Sequence, residues 1–508
     1  MSGRRLHRPA RLLEAWDDRP AWLWGLVALG ILLRLAQYLA NPSLWLDEAM
    51  LALNLVARSA AQLQQPLDYE QAAPLLFLQI EKLLLNAFGT KEPALRALPL
   101  LSGCAALVLS RSLMVRLLPR GARAAALFLV AVSNPLIDYA TQVKPYALDA
   151  ALAVLALALA ARLVLGRGRQ GSLILLALTG LLAPWISFGA AFALAPAYAL
   201  LIVHFARRRM WGLLRMTAGG GLVWLVSSLG LGIMMSGWES VGALQKVWSS
   251  SAGFAPFPPE SGPDLLWYAR SAYRVARHPG GFLIPPVGLA LWLWGAVWLA
   301  RRPRGGTALW LLLGPALLAL AASMLKAYPF AGRLLLFAAP GLAALAGAGL
   351  YAAASWADGP GRLRPALAAI LMAVSLGVEG ARAGYHLVRP RVREEVREMT
   401  AILRRRTRPG DVAYVYYGAK PTFDFYMPDP PIEIHSGVKA RREPGLYRED
   451  LRTLDGRPRV WVLLSHVYTW GAHDEGRLIL EELDRLGRQR RAYPQRDGGL
   501  YLYDLGPR

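Results

Sequence analysis

The sequence predicts a polytopic α-helical membrane protein, with about eleven spans and interfacial helices, followed by a small α/β domain. Three observations predict it. Hydrophobic residues make up 55% of the 508-residue chain against 18% charged, with a mean hydropathy of +0.32, less charge than a soluble chain of this length carries. The apolar residues come in runs of about 18–22, long enough to cross a hydrocarbon core of ~30 Å. Beyond residue 384 the runs shorten to strand length and charges of both signs mix.

The runs fall near 20–40, 97–118, 122–139, 145–165, 172–188, 190–206, 212–235, 281–300, 306–326, 333–356 and 365–383. Net charge is +23, but the arginines lie in short loops between apolar runs, which is the pattern of cytoplasmic loops and not of a nucleic-acid binder. These loops are Arg111/Arg116/Arg120/Arg123, Arg167/Arg169, Arg207/Arg208/Arg209, Arg301/Arg302/Arg304 and Arg362/Arg364. With a cytoplasmic N-terminus, every one of them falls inside. Arg4, Arg5, Arg8 and Arg11 precede a full-length span without a small-residue cleavage site, so the first helix is expected to be retained. The single cysteine, Cys104, leaves no intramolecular disulfide and no thiol metal cluster.

Residues 73–89 are apolar but short and contain Glu81 and Lys82. Counting them as a span would put every later arginine cluster outside, so they are expected to form an interfacial helix on the outer leaflet. Residues 41–96 are then one external loop carrying Asp47, Glu48, Asp68, Glu70, Glu81 and Glu92. The same topology places outside a short turn at 138–144, an aromatic loop at 236–280 and a tight turn at 326–333. It divides the chain into a transmembrane region, 1–384, and an external domain, 385–508. In the latter, an amphipathic helix at 392–405, a strand at 411–417, a strand at Val460–Ser465, a helix at Glu475–Leu486 and a strand at 500–503 are expected. His435, His466 and His473 are scattered there without the ligand spacing of a metal site.

The stretch Ser43-Leu44-Trp45-Leu46-Asp47-Glu48-Ala49 follows the first span. Two carboxylates at the end of a span are costly without partners, and so mark a candidate site. The plain alternative is that Asp47 caps a helix beginning at Glu48. On the same expected face lie the Gln142-Val143-Lys144-Pro145-Tyr146 turn and the Lys326-Ala327-Tyr328-Pro329-Phe330-Ala331-Gly332-Arg333 turn. The ordinary reading of such lysines and arginines is snorkelling at helix ends. Carboxylates can deprotonate a nucleophile or hold a divalent cation such as Mg2+ or Mn2+, and cations at headgroup level suit a lipid phosphate. Together they describe a phosphorylated lipid whose head is attacked at the outer membrane face. One carboxylate base and cations facing a departing phosphate suffice for sugar transfer, whereas glycoside hydrolysis needs two carboxylates at a set separation.

Taken in order, Trp45-Leu46-Asp47-Glu48-Ala49, Ala73-Pro74-Leu75, Lys91-Glu92-Pro93-Ala94-Leu95-Arg96, Tyr139-Ala140-Thr141-Gln142-Val143-Lys144-Pro145-Tyr146 and Tyr328-Pro329-Phe330-Ala331-Gly332-Arg333 resemble bacterial GT-C glycosyltransferases. More narrowly, they are similar to the protein-mannosyltransferase and aminoarabinose-transferase-like group, glycosyltransferase family 39. The resemblance covers roughly residues 20–385 and is strongest in the first 165. It implies a multi-pass protein of the bacterial inner membrane with a periplasmic C-terminal domain, a polyprenyl-phosphate sugar donor, inversion, and a glycan, lipid or protein acceptor. It implies Asp47 as base with Glu48 beside it, Lys144 and Arg333 near the donor phosphate, and Tyr146 and Tyr328 in support, with Lys326 in the same turn. Gln142 stands where the pattern commonly has Glu, with Asp138 the available acidic substitute. Gln71-Ala72-Ala73-Pro74 replaces the His or Lys often found before the interfacial helix. A divalent cation on Asp47 and Glu48 stays an expectation that both departures weaken, and either departure is also consistent with an altered substrate. The rival classes are a transporter or flippase, for which internal repeats and broken midplane helices are expected, and a polymerase or ligase of lipid-linked saccharides, for which 236–280 is too poor in charge.

Overall fold

The computed structural model describes residues 9–17, 19–168, 170–236, 238–361, 363–471 and 473–506. Arg4, Arg5, Arg8, Arg169 and Arg362 lie outside the described residues. The chain divides into two compact units. The first comprises Met1–Leu39, Gln64–Leu83 and Arg96–Arg389, and the second Ala40–Leu63, Leu84–Leu95 and Pro390–Arg508.

Seven helices of the described residues are long and apolar enough to cross a membrane: Pro20–Ala40, Glu92–Leu117, Tyr146–Val164, Trp211–Met235, Gly305–Met324, Gly332–Ala357 and Arg364–Val388. Four shorter apolar helices, Arg123–Val132, Gln170–Ile186, Ala191–Arg207 and Pro285–Ala300, stand where the remaining expected spans fall. This is a multi-pass membrane architecture.

Within the first unit, two helices are buried along most of their length, Tyr146–Val164 and Ala339–Ala357. Both are rich in alanine, because helices approach closely in a bilayer only where side chains are small. The packing of Pro285–Ala300 on Ala339–Ala357 makes the point. A Cβ added at Gly295 would lie 2.1 Å from the Leu345 carbonyl oxygen, and one at Gly349 would lie 2.2 Å from that of Leu291. Gly349→Ala is therefore expected to cost about 1–3 kcal/mol or more through overpacking. Gly306→Ala, where a Cβ meets open space, should cost nothing. Thermal unfolding of the two variants in detergent checks this, and equal midpoints would contradict it.

Arg34 lies in the Pro20–Ala40 helix and is buried. Its guanidinium donates to the carbonyls of Gly30 (2.8 Å), Ala131 (3.4 Å) and Val130 (3.4 Å). A buried charge in a span persists only with such partners.

The C-terminal part of the second unit is built on a five-stranded sheet. Its seven strands are β1 (Val412–Val415), β2 (Glu433–Ser436), β3 (Val460–Ser465), β4 (Thr469–Trp470), β5 (His473–Asp474), β6 (Arg488–Gln495) and β7 (Gly498–Asp504). The sheet order is β2-β1-β3-β7-β6, with β4 and β5 paired as a separate ribbon. β1 runs parallel to β2 and β3, while β7 is antiparallel to β3 and β6. The centre explains the order: β1 and β3 are buried throughout, as parallel strands covered on both faces must be. The edge strand β6 (RQRRAYPQ) is exposed along most of its length. Its arginines, its proline and the register shift between Gln489 and Arg491 blunt it against pairing with another chain. The expected strand Val460–Ser465 and helix Glu475–Leu486 form at those bounds. The expected strand at 411–417 shortens to Val412–Val415 because the chain turns into the helix Lys420–Tyr426.

In this sheet His435 Nε2 and Asp450 Oδ1 lie 2.7 Å apart, and the Val438 N–H donates to Asp450 Oδ2 at 3.0 Å. The Asp450 contact raises the His435 pKa. Burial pushes the Asp450 carboxyl up, but the hydrogen bonds from His435 and Val438 outweigh it and hold it below its ordinary value. The stability supplied by Asp450 is present above its unfolded pKa of about 4 and fades as pH falls through the lowered folded value. That supplied by His435 is present below about 6.5 and fades as pH rises through the raised folded value. The pair should stabilise fully between about pH 4 and 6.5. His435→Gln should therefore remove part of the decline in unfolding midpoint above about pH 6.5. An unchanged slope would contradict the assignment.

Candidate functional site

The two halves of the expected site fall in different units, so each is described by itself. The acidic motif belongs to the second. Trp45, in extended conformation (φ −95°, ψ 167°), is the N-cap of the helix Leu46–Ala57. Asp47 is therefore not the cap expected of an isolated helix start. It stands with Glu48 in the first turn, where a carboxylate faces the positive end of the helix. Glu48 is buried and accepts from the Trp45 N–H at 3.5 Å, so this carboxylate serves its own helix.

The remaining groups at this helix start are filled from the far end of the chain. The Leu46 N–H donates to Glu394 Oε1 at 3.0 Å, and the Leu44 N–H to the Tyr426 hydroxyl at 2.7 Å. Ser43 Oγ donates to Glu398 Oε2 at 2.7 Å. Arg397 joins the same seam, donating to Glu92 Oε1 and to the Asn41 carbonyl, each at 2.8 Å. Tyr426 donates to Glu92 Oε1 at 2.9 Å. Trp45 lies between the Arg393 guanidinium, 4.4 Å from its ring, and the His466 ring at 6.4 Å. Helix ends leave unpaired N–H groups that need partners, and here residues 394–426 supply them. Sequence reasoning missed Glu394, Tyr426 and Arg397 because they stand some 300–380 positions away from the groups they serve.

His466, expected to be one of three scattered histidines, is in fact engaged. Its Nδ1 lies 2.9 Å from Glu394 Oε1, and its backbone N–H donates to Asp497 Oδ2 at 3.1 Å. The bond to Glu394, with Asp497 and Asp47 nearby, raises its imidazole pKa.

The cationic turns belong to the first unit. Residues 134–139 form a short helix, not part of an open turn, because Asn134-Pro135 sets a helix start. Asp138 therefore sits on a helix, and its carbonyl accepts from Thr141 N (3.1 Å) and Oγ1 (3.0 Å). The chain then bends into Tyr146–Val164, with Pro145 as the cap residue. Lys144 is 4% exposed, and its Nζ donates to Gln71 Oε1 at 2.6 Å. Gln142 is 3% exposed, and neither atom of its side-chain amide has a hydrogen-bond partner among the described residues. The Tyr146 ring lies 5.8 Å from the Arg333 guanidinium and 5.3 Å from the Tyr139 ring, which in turn meets His278 at 5.4 Å. Arg333 and Tyr146 are thus brought together, while Lys144, two positions before Tyr146, is engaged by Gln71.

The other turn residues have different duties. Arg333 lies on a 3-10 helix, Gly332–Ala338, instead of a tight turn. The Tyr328 hydroxyl donates to the Leu334 carbonyl at 2.9 Å, and its ring packs on Phe192 at 4.6 Å, so it braces that helix. Lys326 is exposed and takes a left-handed φ of 55°. On Leu75–Phe88, Glu81 is fully buried with neither carboxylate oxygen partnered among the described residues. Burial raises its pKa well above the ordinary value. Of these, Gln71 was visible only as a departure from the family pattern, and His278 had no sequence signal.

Over 96% of its length the chain superposes on ArnT from Cupriavidus metallidurans crystallised with undecaprenyl phosphate, with a TM-score of 0.52, 14% identity and 99% of that chain covered. The apo form of the same protein gives a TM-score of 0.50 at 15% identity, covering 96% of this chain and 99% of that one. The fold is GT-C. No protein-family model and no curated protein sequence matches the chain. The likeness covers residues of both units.

Proposed function

We propose that the protein transfers a sugar from a polyprenyl-phosphate donor to an acceptor at the outer face of the bacterial inner membrane. The observation that carries this reading is the end-to-end GT-C likeness to a protein crystallised with undecaprenyl phosphate. In the proposed step Asp47 takes a proton from the acceptor hydroxyl, and the acceptor oxygen attacks the anomeric carbon. The bond from that carbon to the phosphate oxygen breaks, and polyprenyl phosphate leaves. A single displacement inverts the anomeric centre. No general acid is needed, because phosphate departs as a stable anion whose charge Lys144 and Arg333 oppose. The contact of the Arg333 guanidinium with the Tyr146 ring and the burial of Lys144 in the same unit support that role. Glu48, bound to its own helix start, supports the charge of the acidic motif without receiving the proton.

The reading includes a cytoplasmic N-terminus, with the acidic loop and residues 385–508 in the periplasm. The acceptor is a glycan, lipid or protein that reaches that face, and membrane lipids surround the spans. Native mass spectrometry of the purified protein with undecaprenyl phosphate tests the donor. A retained lipid, displaced by an excess of the same lipid but not by a neutral polyprenol, is expected. Equal retention of the neutral polyprenol would contradict a phosphate site.

A further inference from the structure

Glu394, His466 and Asp497 each offer one ligand atom, and these atoms all lie within 4.8 Å of one another. We propose that they form a site for one divalent transition-metal cation, Zn2+ or Mn2+, beneath the N-terminus of the acidic-motif helix.

The chemistry of the donor set points to that class. One imidazole nitrogen with two carboxylate oxygens suits a borderline cation better than Mg2+ or Ca2+, which take oxygen alone. Ligand atoms bound at about 2.1 Å stand about 3.0–3.4 Å apart on neighbouring corners of an octahedron or tetrahedron. The 2.9 Å between His466 Nδ1 and Glu394 Oε1 is close to that spacing, so binding exchanges an imidazole proton for the ion with little movement. Asp497 is already held beside them by the His466 N–H.

The setting is also built. Glu394 is 2% exposed, and its other engagements fix its carboxylate: the Leu46 N–H on Oε1, and Thr422 Oγ1 at 3.5 Å from Oε2. His466 adopts a left-handed φ of 51°, a conformation that costs energy in a non-glycine residue and persists only where its surroundings enforce it. The Trp45 ring stands tilted beside it, with the centroids 6.4 Å apart. Ser465, the residue before it, is 1% exposed with no partner for its hydroxyl among the described residues.

The site stands on the geometry of the second unit alone. What it does for Asp47 rests on the transferase reading. By fixing Glu394, which receives the Leu46 N–H, the ion acts as a positioning device for the helix that presents the proposed base.

The test uses full-length protein in detergent, stripped with chelator and dialysed against Zn2+ or Mn2+, with bound metal counted by elemental analysis. One equivalent is expected in the wild type, and at least about tenfold weaker binding in Asp497→Asn and in His466→Gln. Asp47→Asn should bind like the wild type. Absence of bound Zn2+ or Mn2+ in the wild type would overturn the proposal and leave His466 and Glu394 as an ion pair. So would wild-type affinity in both ligand variants, or loss of binding in Asp47→Asn, which would move the ion to the acidic motif. Should the variants misfold, X-ray absorption of the Zn2+-loaded wild type decides instead. At least one imidazole nitrogen at about 2.0–2.1 Å and no sulfur is expected, and an all-oxygen or sulfur-containing shell would overturn it. Metal binding is read without any sugar transfer, so its outcome and that of the transferase reading are independent.

Discussion

Asp47→Asn is expected to lower sugar transfer by about 10²- to 10⁴-fold, the range that a positioned general base contributes. The substitution keeps the shape of the side chain and removes only its capacity to take a proton. The local fold should survive it, because the side-chain shape is kept and neighbouring residues also hold this helix start. Glu48 receives the Trp45 N–H, Glu394 the Leu46 N–H and Tyr426 the Leu44 N–H. Membrane insertion and donor binding should therefore match the wild type while product formation collapses. Transfer at the wild-type rate in this variant, measured with isolated membranes, would remove Asp47 from the chemistry.

Arg333→Ala is expected to act on a different quantity. Loss of a charge-assisted hydrogen bond to a phosphate costs about 1.5–3 kcal/mol, or about 10- to 100-fold in donor affinity. Arg333 is held on a 3-10 helix that Tyr328 braces through the Leu334 carbonyl, beside the ring of Tyr146. An arginine that merely snorkels would show no such loss. Undecaprenyl phosphate affinity unchanged in Arg333→Ala would return it to that role.

Much of the fold was legible because its causes are local. Ten of the eleven expected apolar runs correspond to a single long or shorter apolar helical stretch, and 122–139 divides into Arg123–Val132 and Asn134–Tyr139. Crossing a bilayer demands a long apolar stretch wherever it occurs. The strand Val460–Ser465 and the helix Glu475–Leu486 were equally plain, from an unbroken apolar run and from an amphipathic period. The errors came where a distant segment decided the outcome. The alternative weighed for Asp47, a helix cap, rested on the preference of aspartate for that position in an isolated helix. The helix instead begins earlier, at Leu46, whose N–H is taken by Glu394.

Asp138 was placed in a turn because the Asn134-Pro135 helix start lies within a run that reads as span. The partnership of Lys144 with Gln71, 73 positions apart, leaves no trace in spacing. Neither does the meeting of Glu394, His466 and Asp497, whose identities are visible in the chain but whose convergence depends on the β3–β7 pairing. Gln142 was legible as a departure from the family pattern, yet its burial without a partner is a fact of three dimensions.

The central claim is that a sugar leaves a polyprenyl phosphate at this protein and that Asp47 is the base. Mass spectrometry of lipids and surface glycans from cells carrying the wild type, Asp47→Asn or no copy tests it most directly. A sugar-bearing product present only with the wild type is expected, together with accumulation of a polyprenyl-phosphate sugar in the other two. Identical lipid and glycan profiles in all three, or the product persisting with Asp47→Asn, would contradict it.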